Sequence, residues 1–143
     1  MPLRELDNLA RIGKLKGEPP AASELAGLLR SGSVRLADAQ REELSLESRF
    51  DLSYNAAHAF SLAALRWHGY RSENRYLVFQ SLIHTLNLPS AQWRVLDDAH
   101  RKRNLAEYEG EIDVDAALLG ALLRVTGVVA ECVRALLAET PSG

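Results

Sequence analysis

Apolar residues recur along the chain at intervals of three and four, which places them on one face of an α-helix. No segment alternates apolar and polar residues as a half-buried strand does. The pattern predicts an all-α fold, an up-down bundle of four to five main helices preceded by an N-terminal helix. The predicted helices run approximately over Pro2–Leu15, Ala21–Ala39, Ser45–His68, Tyr76–Leu88, Pro89–Tyr108 and Val114–Ala138.

Proline and glycine residues mark several of the predicted helix boundaries. The proline pair that begins at Pro19 ends the first helix, and Gly110 is placed as a C-terminal stop for the fifth. Gly32, which lies between two serines, predicts a kink or a break in the second helix. We expect a single domain. Its predicted parts are an N-terminal helix with a proline-rich turn (1–20), the bundle (21–138) and a flexible tail (139–143).

The last predicted helix is apolar around most of its circumference. Only a narrow polar stripe, which includes Arg124 and Arg134, interrupts its apolar surface. Such a helix lies either at the centre of a bundle or in an interface with a second subunit. Cys132 lies within the apolar surface, and we expect it to be a buried, unreactive thiol.

The composition is that of an ordinary globular protein, with 47% hydrophobic and 25% charged residues. The net charge of −2 gives the chain no general attraction to nucleic acid, so any phosphate-binding site has to be local. Cys132 is the only cysteine, which favours a reducing compartment. Because the chain shows no signal-peptide pattern and no uncharged apolar stretch of about 18 residues, we expect a cytoplasmic protein without a membrane-spanning segment.

A basic run in the fifth predicted helix is the densest candidate ligand-binding site. It consists of Arg101, Lys102, Arg103, Asn104 and Tyr108. Arginine binds phosphate oxygens through a planar fork of donors, asparagine binds base edges, and tyrosine stacks on nucleobases. The alternative is surface ion pairing along the helix, because an acidic residue lies four positions from each of the three cations. These acidic residues are Asp97, Asp98 and Glu107.

The segment RKRNLAEY in this run, followed by a long apolar helix, resembles the signature region of the HEPN superfamily. The upstream segment SRFDLSYNAAHAFSLAALRWHGYRSENR resembles a second block of that family. Together the two blocks span about Ser45–Ala138. The resemblance implies a helical homodimer in which the motifs of two subunits face one another across a cleft.

HEPN ribonucleases carry an Arg, commonly followed by a polar residue, and then a His after a short spacer. The resemblance assigns Arg103 and Asn104 to the start of this motif, and at the shortest spacing Tyr108 stands where the His would be. A phenol with a pKa of about 10 is a poor general base at neutral pH, so we expect binding without catalysis. The dimer implied by the resemblance would let Arg103 of one subunit meet Tyr108 of the other.

The predicted function is therefore binding of RNA or a nucleotide, or of a partner of the kind found in toxin-antitoxin operons, such as a nucleotidyltransferase-type antitoxin. One alternative is a metal-independent endoribonuclease, in which Arg103 stabilises the transition state and His100 or His58 acts as the base. The other alternative is a dimerisation module without a ligand. No cofactor is implied.

A polar strip on the long third helix is a second feature of interest. Asp51, Asn55 and His58 follow one another at intervals that place them on one helical face. We expect hydrogen bonding to give His58 a structural role, and the alternative is a site that faces the basic run. The four histidines lack the paired spacing and the neighbouring carboxylates of a metal site in a bundle, so we predict no metal.

Overall fold

The computed structural model describes residues 3–110 and 113–139, and this part of the chain is an all-α bundle, as predicted. The helices formed there are α1 (Arg4–Arg11), α2 (Ala22–Ala39), α3 (Leu46–Trp67), α4 (Arg75–Gln80), α5 (Leu82–Thr85), α6 (Ser90–Glu109) and α7 (Ala116–Leu137). Two short strands, β1 (Lys16–Gly17) and β2 (Tyr70–Arg71), pair antiparallel and tie the segment after α1 to the end of α3.

Side-chain caps and a glycine stop explain where the long helices begin and end. The hydroxyl of Ser45 accepts a hydrogen bond from the backbone nitrogen of Ser48 at 3.0 Å, at the start of α3. Asp115 caps α7 in the same way, and Gly110 ends α6 in the left-handed conformation with a φ of 80°. These boundaries agree with the predicted ones within a few residues.

Three details of the predicted helices are wrong. α2 is one unbroken helix through Gly32, because this glycine is buried where α2 packs on the ring of Phe60. The predicted fourth helix is divided into α4 and α5 at Ser81, whose hydroxyl donates to the backbone oxygen of Val78 at 2.7 Å. α1 is shorter than predicted and ends at Arg11, because the chain then turns to form β1.

α3 is the central helix, and it packs against α2, α7, α4 and α6. Alanines on its buried faces allow the neighbouring helices to approach closely. The largest side chains of the main core come from several helices. They include Phe50, Tyr54, Phe60, Phe79, Leu82, Leu96, Leu122 and Val129.

A smaller apolar cluster holds the N-terminal segment against the end of α3. It consists of Leu6, Leu15, Leu65, Tyr70 and Val78. Next to it lies Arg66, which is only 1% exposed and donates to the carboxylate of Glu24 and to the backbone oxygens of Glu18 and Pro19, each at 2.8 Å. Arg66 thus joins α3, the proline turn and α2.

α7 combines a core face with a partly exposed apolar face. Leu122 and Val129 are fully buried against the rest of the bundle, whereas Val128 is 38% exposed. Within the described residues α7 is also the one helix that is long and apolar enough to cross a membrane, a property that core helices of soluble proteins share. Cys132 is partly buried rather than fully buried as predicted. Of the predicted flexible tail, residues 140–143 lie outside the described residues.

Candidate functional site

The basic run divides between two faces of α6. Successive helical residues are rotated by about 100°, so Arg103 lies about 60° to one side of His100, whereas Asn104, Tyr108 and Arg101 lie about 40°, 80° and 100° to the other side. The first three contact α3 or one another. Tyr108 is 92% exposed. The candidates that contact α3 are therefore His100 and Arg103, and Asn104 joins them through His100.

His100 is held between a phenol and a carboxamide. Its Nδ1 lies 3.0 Å from the hydroxyl of Tyr54 on α3, and its Nε2 lies 3.2 Å from the side-chain nitrogen of Asn104. With the amide placed in this way, Asn104 donates to Nε2, and Nδ1 carries the proton that is donated to the Tyr54 oxygen. Burial lowers the pKa of His100; the charge of Asp97 opposes this shift, the charge of Arg75 adds to it, and the net direction is downward from the ordinary value. The imidazole is therefore neutral at pH 7.

Arg103 forms an ion pair with Asp51 of α3, and its guanidinium lies 5.8 Å from the centre of the Tyr54 ring. The two charged side chains are 36% and 47% exposed, respectively, so the pair lies at the edge of the bundle and not in the core. The sequence predicts pairing of Arg103 with Glu107 on the same helix, and that prediction is wrong. A solvent-accessible ion pair of this kind contributes little to stability and is easily exchanged.

Arg75 at the start of α4 completes the cluster, and sequence reasoning did not identify it. Its guanidinium lies 5.4 Å from the centre of the same Tyr54 ring and donates to the side-chain oxygen of Asn55 at 3.1 Å. Within residues 3–110 and 113–139, no carboxylate lies within 4.0 Å of Arg75. The only signal in the sequence was an arginine at the start of a helix, which is too common to be informative.

Aromatic rings form the base of the cluster. Tyr54 is buried, packs edge-on against Phe79 and stacks with the imidazole of His100. Burial raises the pKa of Tyr54 despite the opposing effect of Arg75, so its phenol stays protonated. Tyr76 packs on both Trp93 and His100 and is 38% exposed, so part of its ring is open to solvent. The cluster therefore joins two guanidinium groups, a neutral imidazole and an accessible aromatic ring.

The polar strip on α3 faces α4 and α6. The sequence alone left two interpretations of this strip open, a structural role and a ligand-binding site. Asn55 donates to the backbone oxygen of Asp51 at 2.8 Å and accepts from Arg75. His58 packs edge-on against Phe79. Burial and the charge of Arg75 lower the pKa of His58 to about 4.

We expect acid to destabilise the fold through His58. The unfolded chain takes up a proton near the ordinary pKa of 6.5, whereas the folded chain does so only at about 4. Stability is therefore complete above the unfolded pKa and falls as the pH drops from about 6.5 to about 4, at up to about 1.4 kcal/mol per pH unit. Because the ring is partly solvated, the total loss should be about 1–2 kcal/mol. Urea unfolding midpoints across this range would measure it.

The control for this pH dependence is His58→Gln, which keeps a polar side chain but cannot titrate. Its unfolding free energy should fall less steeply with pH than that of the wild type. Some slope remains, because burial also lowers the pKa values of His68 and His100. Identical slopes in the variant and the wild type would show that the pKa of His58 is the same in the folded and the unfolded chain.

The rest of the basic run lies at the periphery of the cluster. Arg101 is 70% exposed and pairs with Asp97 at 2.5 Å, as the alternative surface-pairing interpretation predicts. Lys102 is partly buried and, in the described part of the chain, has no carboxylate within 4.0 Å. The structure thus joins Arg103 and Asn104 in one cluster and leaves Arg101 and Tyr108 outside it.

Comparisons of the chain with protein-family models, with curated proteins and with solved structures find no match. Among the described residues, no three His, Cys, Asp or Glu side chains are grouped as a metal site would require. The HEPN resemblance therefore depends on the two sequence segments alone.

Proposed function

We propose that the protein binds RNA or a nucleotide through a phosphate group at the cluster formed by α3, α4 and α6, without cleaving it. The observation that carries this proposal is the position of Arg103. Its guanidinium is at the bundle surface, above the ring of Tyr54, and the hydroxyl of that tyrosine is hydrogen-bonded to the neutral His100. The sequence resemblance to HEPN domains, in which Arg103 begins the signature motif, supports the same site.

The chemistry of the cluster fits a phosphate next to a base. The Arg103 guanidinium offers paired donors to phosphate oxygens, and the exposed Asn104 follows it on α6, joined to His100 by a hydrogen bond. The exposed part of the Tyr76 ring is available for stacking by a nucleobase. Both nitrogens of His100 already have partners, so this imidazole positions Asn104 and is not free to accept a proton from a substrate.

A homodimer would complete the site. Tyr108 points away from Arg103 of its own chain, so it does not belong to the same cluster within one subunit. Its exposure leaves it available to a second subunit. The apolar groove between α6 and α7, of about 340 Å³ and lined by Val95, Val125 and Val128, supports an interface on these two helices. A nucleotidyltransferase-type partner is the alternative occupant of this surface.

Replacing Arg103 by glutamine should weaken binding of a short oligouridylate about tenfold, because a charge-assisted hydrogen bond to phosphate is lost. Fluorescence anisotropy at low salt would measure the affinity. The matched control is Arg134→Gln. Arg134 pairs with Glu131 on α7 and lies near Ser33 of α2, remote from the cluster, so this variant should bind as the wild type does.

The same samples distinguish the alternatives. Cleavage of the oligonucleotide by the wild type, and not by Arg103→Gln, would identify an endoribonuclease and contradict binding without catalysis. If neither the oligonucleotide nor AMP binds at low salt, the ligand proposal is wrong and a dimerisation module is favoured.

A further inference from the structure

We propose that Arg75 binds the same phosphate group as Arg103, and that Asp51 is a counter-ion that this phosphate displaces from Arg103. This inference rests on the proposed function and adds to it a second binding residue from a different helix. It also adds a carboxylate that weakens binding. The inference is based on one observation: the guanidinium groups of Arg75 and Arg103 both lie beside the buried ring of Tyr54.

Arg75 differs from the other arginines that take part in side-chain clusters. Arg66, Arg71 and Arg103 each have a carboxylate partner. In the described part of the chain, Arg75 contacts only neutral groups, the Asn55 amide and the Tyr54 ring. Burial removes water from a cation, and the Asn55 amide and the Tyr54 ring replace part of that hydration without neutralising the charge of Arg75. An anion bound there would supply the missing charge.

The two arginines are held one helical turn apart on α3, Arg103 by Asp51 and Arg75 by Asn55. Both lie beside Tyr54, and the neutral His100 that stacks on the same ring adds no charge of its own. Asn55 holds Arg75 through a hydrogen bond, which limits the freedom that its side chain would lose on binding. Two guanidinium groups from separate helices can bind different oxygens of one phosphate, which gives both charge and geometric fit.

Asp51 forms an ion pair with Arg103 when no ligand is bound. Its carboxylate is 47% exposed, so it can move into water when a phosphate approaches. The ligand must then replace an existing ion pair, and part of its interaction with Arg103 only compensates for that loss. Removing the charge of Asp51 should therefore strengthen binding, whereas removing Arg75 should weaken it.

The experiment measures binding of the full chain to a labelled oligouridylate and to AMP over a range of salt concentrations. Arg75→Gln should reduce affinity about tenfold and should make the dependence of log K on log salt shallower by about 0.7, the value for one phosphate contact on a single strand. Arg75→Lys should keep the salt dependence and recover part of the affinity. Weaker binding of both the oligonucleotide and AMP would show that Arg75 contacts a phosphate group, the feature that the two probes share.

Asp51→Asn should increase the affinity several-fold. The matched control is Glu131→Gln, which changes the net charge equally and frees Arg134 from a similar exposed ion pair on α7. This control should leave the affinity nearly unchanged. Thermal unfolding of each variant shows whether it is folded. If Arg75→Gln does not fold, Arg75→Lys still tests the role of Arg75.

The outcomes separate this inference from the proposed function. If the wild type binds and Arg103→Gln weakens binding, but Arg75→Gln and Arg75→Lys change neither the affinity nor the salt dependence, Arg75 only supports Asn55 and the inference is overturned. Weaker binding by Asp51→Asn would show that the carboxylate positions Arg103 for the ligand. If the wild type binds neither probe, the proposed function itself fails.

Discussion

Replacing Arg66 by methionine is expected to lower the free energy of unfolding by about 3–5 kcal/mol, the largest effect of any single substitution considered for this protein. The side chain is 1% exposed and donates to the carboxylate of Glu24 and the backbone oxygens of Glu18 and Pro19. Methionine fills much of the volume but donates nothing, so the backbone oxygens of Glu18 and Pro19 would lose this donor and Glu24 would keep only Arg71 as a partner. Urea unfolding followed by circular dichroism measures the change.

A matched control separates the buried cluster from ordinary surface pairing. Arg41 pairs with Glu43, and the two side chains are 57% and 65% exposed. Arg41→Met should therefore change the unfolding free energy by no more than about 0.5 kcal/mol. Equal unfolding midpoints for Arg66→Met and Arg41→Met would contradict the structural role assigned to Arg66.

The burial of Arg66 and its ion pairs could not be predicted from the sequence. Hydrogen bonds from Arg66 and Arg71 lower the pKa of Glu24, although burial on its own acts to raise it. Glu24 on α2 lies 42 residues before Arg66 on α3 and 47 residues before Arg71 in β2. Nothing in the local pattern of a helix marks Arg66 as buried, because an arginine near a helix C-terminus is ordinarily a solvated residue.

The all-α fold and most long helices were predictable because their signals are local. Ser45 caps the start of α3, Gly110 ends α6, and the spacing of apolar residues by three and four sets the buried faces between such boundaries. The errors at Gly32 and Ser81 have a different origin. Whether a glycine breaks a helix or permits a close contact depends on what packs against it, and the pattern along one helix does not contain that information.

The candidate site was predictable in part for the same reason. Arg103, Asn104 and His100 were found because they are neighbours in one helix, and the α3 strip that holds Asp51 was found from its spacing. Arg75 was missed, since its role comes from the packing of α4 against α3 and α6. Tyr108 lies about 140° around α6 from Arg103, as the five-residue spacing in the sequence already implies, so the two side chains were expected to meet only between subunits.

Gly32→Ala is expected to lower the free energy of unfolding by up to about 2 kcal/mol. A Cβ atom at this position would lie 2.7 Å from Cε1 of Phe60, whose ring is fully buried and cannot move aside freely. Overpacking of this kind typically costs about 1–3 kcal/mol, which exceeds the gain of about 1 kcal/mol from replacing glycine by alanine within a helix. Urea unfolding midpoints of the variant and the wild type test this directly.

The same substitution at Gly27 should have the opposite sign. Gly27 lies in α2 as well, it is exposed, and no atom lies within 4 Å of a Cβ added there. Gly27→Ala should therefore raise the unfolding free energy by about 0.5–1 kcal/mol, since only the backbone entropy of the unfolded chain changes. In a Phe60→Leu background the ring atoms that crowd position 32 are absent, so Gly32→Ala should lose most of its destabilising effect. If Gly32→Ala stabilises the wild type as Gly27→Ala does, α2 does not pack on Phe60 as closely as the structure shows.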